Sequence, residues 1–229
     1  MIFALFGILL LAAIYAPSVW VRFVMDRYSK EDPTIRGTGG ELAIHLINRF
    51  QLEGVTVEET KPQNDHFDPS SNTVRLSPDN FNGCSLTAVA VAAHEVGHAI
   101  QFNRKEAISL LRGQYIPKAI LINKIGIGIV MLMPVVGLIT RVPHAAIITA
   151  VAGVLAMLVS ALMYLIVLPE EWDASYNKAL PILIEGEYIH KNQEKAVNKI
   201  LRAAALTYFA GALANILSLW RWLVLLKLR

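Results

Sequence analysis

The chain has 229 residues, 55% of them hydrophobic, with a mean hydropathy of +0.47. That is more apolar than an ordinary soluble domain and points to a bilayer. Its net charge of +3 is too modest to suggest nucleic-acid binding, and a single cysteine, Cys84, excludes an internal disulfide and fits a reducing compartment.

In chain order, Ile2 to Trp20 is long and apolar enough to span a membrane, which takes about 20 residues. No Lys or Arg precedes it, whereas Arg22, Arg27 and Lys30 follow it. A cleaved signal peptide carries its positive charge in front. Residues 1–25 are therefore expected to be a retained transmembrane anchor with its N-terminus outside.

Residues 26–115 read as a small α+β unit. Thr38-Gly39-Gly40-Glu41 has capping-box spacing and opens an amphipathic helix to about Arg49. Val55 to Glu58 and Thr73 to Ser77 alternate like strands, and Asp65 to Asn72 between them is rich in turn formers. This predicts a β-hairpin beside the next helix. Thr73, Val74, Arg75 and Leu76 could offer an edge along which an extended peptide pairs, or could simply pack as part of a small sheet.

Asn82-Gly83-Cys84-Ser85 supplies a helix start, and Leu86 to Ala93 continues it without Pro or Gly. On this helix lies His94-Glu95-Val96-Gly97-His98. Two histidines four residues apart project from one face, so both imidazoles can reach one zinc ion, with Glu95 beside its open position. A pair of surface histidines is the bland alternative, but the flanking sequence is apolar. A buried His-Glu-His needs partners that a metal supplies.

Residues 116–168 hold two further spans. Ile125 to Thr140 continues upstream towards Ile116, and Ala145 to Leu168 carries no charge; Arg141 to His144 joins them as a hairpin. Residues 169–202 follow as a helical segment. Ala203 to Leu219, within the C-terminal stretch 203–229, is apolar but carries Thr207, Tyr208 and Asn215, and reads as a membrane or amphipathic helix. The expected fold is thus a mainly α membrane protein of about four transmembrane helices with a small α+β zinc unit.

A catalytic zinc usually takes three protein ligands. Gln101 and Arg104 stand where a metzincin would have Gly and His, and no intramembrane Leu-Asp-Gly motif follows. Past the third span comes Leu168-Pro169-Glu170-Glu171-Trp172-Asp173-Ala174-Ser175. Its two adjacent carboxylates return to the membrane face of the HEVGH helix. Either could complete the ligand set, or both could serve as helix-start acids favouring the macrodipole.

HEVGHAIQ, two spans, then LPEEWDAS resembles the bacterial membrane neutral zinc metallopeptidase (YugP-like) family, whose usual second string is LPVEFDAS. The resemblance extends through Asp65 to Pro69, Val74 to Pro78 and Arg202 to Tyr208, and so covers most of the chain. HtpX-type and CAAX prenyl proteases are more distantly similar. The resemblance implies one zinc per chain, held by His94, His98 and Glu171 in a gluzincin-like set, with Glu95 as general base. Glu170 stands where the family usually has Val, and Ser175 where the distant relatives have Asp.

Of 21 Lys and Arg, 12 lie between Arg22 and Lys124, five between Lys178 and Arg202, and only Arg141 in the hairpin loop. The positive-inside rule then places the 26–115 and 169–202 segments on the cytoplasmic side. The expected protein is an integral protein of the bacterial cytoplasmic membrane, a zinc endopeptidase whose partners are the bilayer and a protein or peptide substrate. A zinc hydrolase for another substrate and a non-catalytic scaffold are the alternatives. Tyr208, His190 and Arg202 are candidates to stabilise the transition state, with interfacial anchoring, surface exposure and snorkelling as their respective bland readings.

Overall fold

Two stretches far apart in sequence, Val19–Leu110 and Pro169–Thr207, fold as one unit; Leu111–Leu168 and the N-terminal residues to Ser18 belong to a second. The computed structural model describes residues 2–207 and 209–210, the side chains of residues 2–14 and 143 excepted.

The first helix, α1 (Ile2–Arg27), brings Val24 into the core of the polar unit. Thr38 then opens α2 (Gly39–Arg49) as its spacing predicts. Its hydroxyl accepts from the Glu41 backbone N–H at 3.1 Å, and the Glu41 carboxylate accepts from the Thr38 N–H at 2.8 Å. Leu42, Ala43, Leu46 and Ile47 face inward, one turn apart, while Ile44 points out.

Three short strands follow: β1 (Thr56–Glu59), β2 (His66–Asp68) and β3 (Thr73–Leu76), in the order β1-β3-β2. The expected hairpin exists, but its members are β2 and β3, antiparallel; β1 runs parallel to β3 on the other side. Alternation tells which face of a strand is buried and says nothing of its partner. The turn formers after Pro69 suffice to close the hairpin. Asp68 accepts from the Ser70 backbone N–H and hydroxyl, the Ser71 hydroxyl and Arg75, so the strand runs directly into its turn. Hydrogen bonds from Ser70, then from Arg75, hold the Asp68 carboxyl well below the usual carboxylate range.

The edge expected along Thr73, Val74, Arg75 and Leu76 is corrected by this order. β3 is the central strand, with a neighbour on either side, so its backbone is already paired along both flanks.

Val74 and Leu76 are fully buried in the core that α4 (Leu86–Asn103) occupies, reached through the short α3 (Pro78–Phe81). Ser85 caps α4, its hydroxyl accepting from the Ala88 N–H at 3.1 Å. Every residue from Leu86 to Gln101 is buried. Burial of a side chain such as Val96 or Ile100 contributes about 1.5–3 kcal/mol. That burial, rather than amphipathic patterning, holds the helix in place.

The second unit takes residues 111–168 of α5 (Leu110–Thr140) and α6 (Pro143–Trp172), the two helices long and apolar enough to cross a membrane among the described residues. They approach through Gly126 and Gly153. A β-carbon on Gly126 would meet the Gly153 carbonyl oxygen at 2.9 Å, and one on Gly153 would meet a Val130 methyl at 2.5 Å. The Ser160 hydroxyl donates to the Ala119 carbonyl at 2.7 Å across the pair. Leu138, Ile139, Ile148 and Leu162 are exposed; with apolar residues both inside and outside, the pair is suited to lipid. Of the other expected spans, the first forms α1, while residues 211–219 of the last lie outside the described residues.

Past Trp172 the chain changes pitch. Asp173–Ala179 form a π-helix, followed by α7 (Leu180–Glu185) and a helical stretch over 194–207 that packs Val197, Ile200 and Leu201 into the polar unit's core.

Candidate metal centre

His94 and His98 are one turn apart on α4, 3% and 2% exposed, with Glu171 at 1% against them. The Nε2 atoms of the two histidines are 3.3 Å apart, and Glu171 Oε2 lies 3.3 Å from each. A tetrahedral zinc with bonds of about 2.0–2.1 Å separates its ligand atoms by about 3.3–3.4 Å. The three atoms thus form one face of such a tetrahedron, and the residues could hold a metal ion.

The hydrogen bonds behind the imidazoles sharpen the fit. The amide nitrogen of Gln101 donates to the Glu170 carbonyl at 3.0 Å and to Asp173 Oδ2 at 2.8 Å. Both are acceptors, so the network assigns the Gln101 oxygen to the opposite side, 2.9 Å from His98 Nδ1. His98 therefore carries its proton on Nδ1. The Ser175 hydroxyl lies 3.2 Å from the Leu201 carbonyl, which can only accept, and 3.0 Å from His94 Nδ1. Its single proton goes to Leu201, and His94 Nδ1–H donates to it. With both protons on the far nitrogens, two Nε2 lone pairs and a carboxylate oxygen converge on one point. Three acceptors aimed together call for a cation.

Glu95, next to His94 on α4, is 6% exposed, and its Oε2 is buried with no hydrogen-bond partner. An orphaned buried carboxylate oxygen in this position fits a group that acts on something entering the site. Glu170 is distinguished from Glu171 by direction. Its Oε1 lies 3.9 Å from His98 Nδ1, the face of the ring turned away from Nε2.

The π-helix brings the second half of the centre to α4. A β-carbon built on Gly97 would lie 2.8 Å from the Ala174 carbonyl oxygen, so the glycine lets the two backbones touch. Asp173 anchors the outer end. Burial pushes its carboxyl up, but hydrogen bonds from Lys178, Gln101 and Asn177 outweigh burial and hold it below its usual value. Lys178 also donates to Glu106 Oε2 at 2.8 Å.

Over residues 2–227 the chain matches the family described as "Putative neutral zinc metallopeptidase". It belongs to that family. It is similar to the "Putative membrane protease YugP" of Bacillus subtilis (strain 168), with 32% identity over 213 residues, 91% of either chain. No solved structure matches it. A buried His-His-Glu cluster that could bind zinc, in a chain with two apolar helices of membrane-crossing length, accords with both descriptions.

Of the three residues considered for transition-state stabilisation, His190 and Arg202 are exposed, whereas the cluster is buried. His190 is exposed and caps a single 3₁₀ turn over Lys191–Gln193, beside Asp32. Arg202 is exposed and lends its charge to Tyr176. Tyr208 lies outside the described residues. Sequence reasoning missed Gln101, Ser175 and Gly97. Gln101 had a signal, since a position three residues past His98 shares its helix face.

Proposed function

We propose that this protein is a membrane-anchored zinc endopeptidase whose metal is held by His94, His98 and Glu171, one ion per chain. The observation that carries the reading is the convergence of two Nε2 lone pairs and Glu171 Oε2 at 3.3 Å spacings, with both histidine protons committed elsewhere. Zinc, when bound there, supplies Lewis-acid chemistry that activates water and polarises a carbonyl. Glu95 is the general base. Its free Oε2 takes the proton from the attacking water and delivers it to the leaving peptide nitrogen. Burial of all four groups excludes bulk water, which strengthens each electrostatic contact.

The catalytic unit works at the cytoplasmic face of the bacterial membrane. The positive charge flanking the hairpin of α5 and α6 supports this orientation. Peptide and protein substrates fit the family description.

The test is a Glu95→Gln protein in detergent micelles, assayed for zinc content and for cleavage of an unstructured protein such as casein. Zinc content should stay at the parent level while cleavage falls about 10²–10⁴-fold, the usual contribution of general acid–base catalysis. Parent-level cleavage by the variant would rule out the assigned role of Glu95.

A further inference from the structure

We propose that Gln101 and Ser175 are positioning residues that fix the proton of each histidine ligand on Nδ1. The proposal rests on the zinc reading and extends it to what orients the ligands.

Histidine ligands of zinc commonly hand their outer N–H to a carboxylate, which raises the basicity of the imidazole. Here neither hydrogen-bond partner is charged, and the Glu170 carboxylate stands farther off, 3.9 Å from His98 Nδ1. His94 donates to a hydroxyl at 3.0 Å and His98 to an amide oxygen at 2.9 Å. Each partner is itself held. The Ser175 proton is spent on Leu201, and the Gln101 amide is pinned by Glu170 O and Asp173 Oδ2. Both residues are 0% exposed, so no water competes for these groups.

The Asp173 carboxylate is set back by one link. Asp173 sits behind Gln101 rather than behind His98, and Lys178 and Glu106 extend the chain outward. The amide transmits direction from this ion pair to His98.

The experiment compares full-length parent, Gln101→Met, Ser175→Ala and Asn177→Ala in micelles. Asn177 is an exposed residue that donates to the other oxygen of Asp173 at 2.8 Å and serves as control. Zinc affinity, read by competition with a chromophoric chelator, should weaken about 10–100-fold in Gln101→Met and in Ser175→Ala. It should stay within about twofold in Asn177→Ala, whose amide touches neither histidine. Thermal midpoints of the metal-free proteins identify any variant that fails to fold. Selective ¹⁵N-histidine spectra of the metal-free parent at pH 8 supply a reading independent of zinc and of the variants. They should show Nδ1–H on both His94 and His98, with His98 alone changing in Gln101→Met. An Nε2–H tautomer for His98 in the parent, or parent-like affinity in folded Gln101→Met, overturns the assignment. A parent that binds no zinc would instead defeat the zinc reading, and the tautomers would still decide this one.

Discussion

Gly97 and Ala174 meet backbone to backbone: a β-carbon on the glycine would stand 2.8 Å from the alanine carbonyl oxygen, well inside ordinary contact. Gly97 is fixed by this approach, because the same approach carries Ser175 to His94. A Gly97→Ala substitution would favour the isolated helix by about 1 kcal/mol. Neither backbone can yield cheaply, so a net loss of about 1–3 kcal/mol is expected instead, together with weaker zinc binding. Thermal unfolding and chelator competition check the two effects. A stabilised variant with parent affinity would mean that the contact does not matter.

Glu170 and Glu171 are both buried, yet their expected losses differ. Glu171→Ala removes one of the three convergent atoms and should leave the purified protein with little zinc. Glu170→Ala keeps the main-chain carbonyl that Gln101 uses, and should retain most of it. Metal analysis of the two proteins separates the roles, and the reverse result would transfer the ligand to Glu170.

Asp68 sets an acid limit on the hairpin. Its folded-state pKa lies below the unfolded value of about 3.9, so it contributes stability that is present above about pH 4 and disappears as the pH falls through the folded value. Asp68→Asn should therefore lower the thermal midpoint at pH 7 and lose that deficit as the pH drops below about 3. A gap of constant size across that range would show that the carboxylate's charge is irrelevant.

Gly153→Leu should separate α5 from α6, since its side chain would enter space held by Val130 and the Gly126 carbonyl. Gly128→Leu makes a matched control, because a β-carbon there meets nothing within 4 Å. Faster proteolysis within residues 111–168 is expected for the first variant only. Equal protection of both would refute close packing at the glycines.

The paired histidines of the candidate metal centre were legible because HExxH spacing is a local, periodic property of one helix. The second carboxylate was narrower evidence: topology offered Glu170 or Glu171, and only family resemblance favoured the latter. Sheet order was not legible, since the alternation in Thr73 to Leu76 marks its buried face and leaves its partners open. His66 to Asp68 hid among turn formers, where Asp68 serves both strand and turn. The pitch of Asp173–Ala179 was equally hidden. A change from i−4 to i−5 hydrogen bonding has no compositional mark, so the meeting of Ser175 with His94 could not be read ahead. Ser175 stands where the distantly similar proteases carry Asp. It retains a hydrogen-bond acceptor for His94 while giving up a charge.

The π segment also sets the phase between the candidate metal centre and its scaffold. A turn closed by i−5 hydrogen bonds absorbs one residue more than an α turn, so forcing Asp173–Ala179 into α pitch with all seven residues kept would turn everything beyond by about 100° relative to Glu171. Glu171, lying before the segment, would stay on its helix, while Leu201 and the core residues of 194–207 would be asked to dock out of phase. Seven residues outside the His94, His98 and Glu171 cluster therefore set the frame in which cluster and scaffold agree.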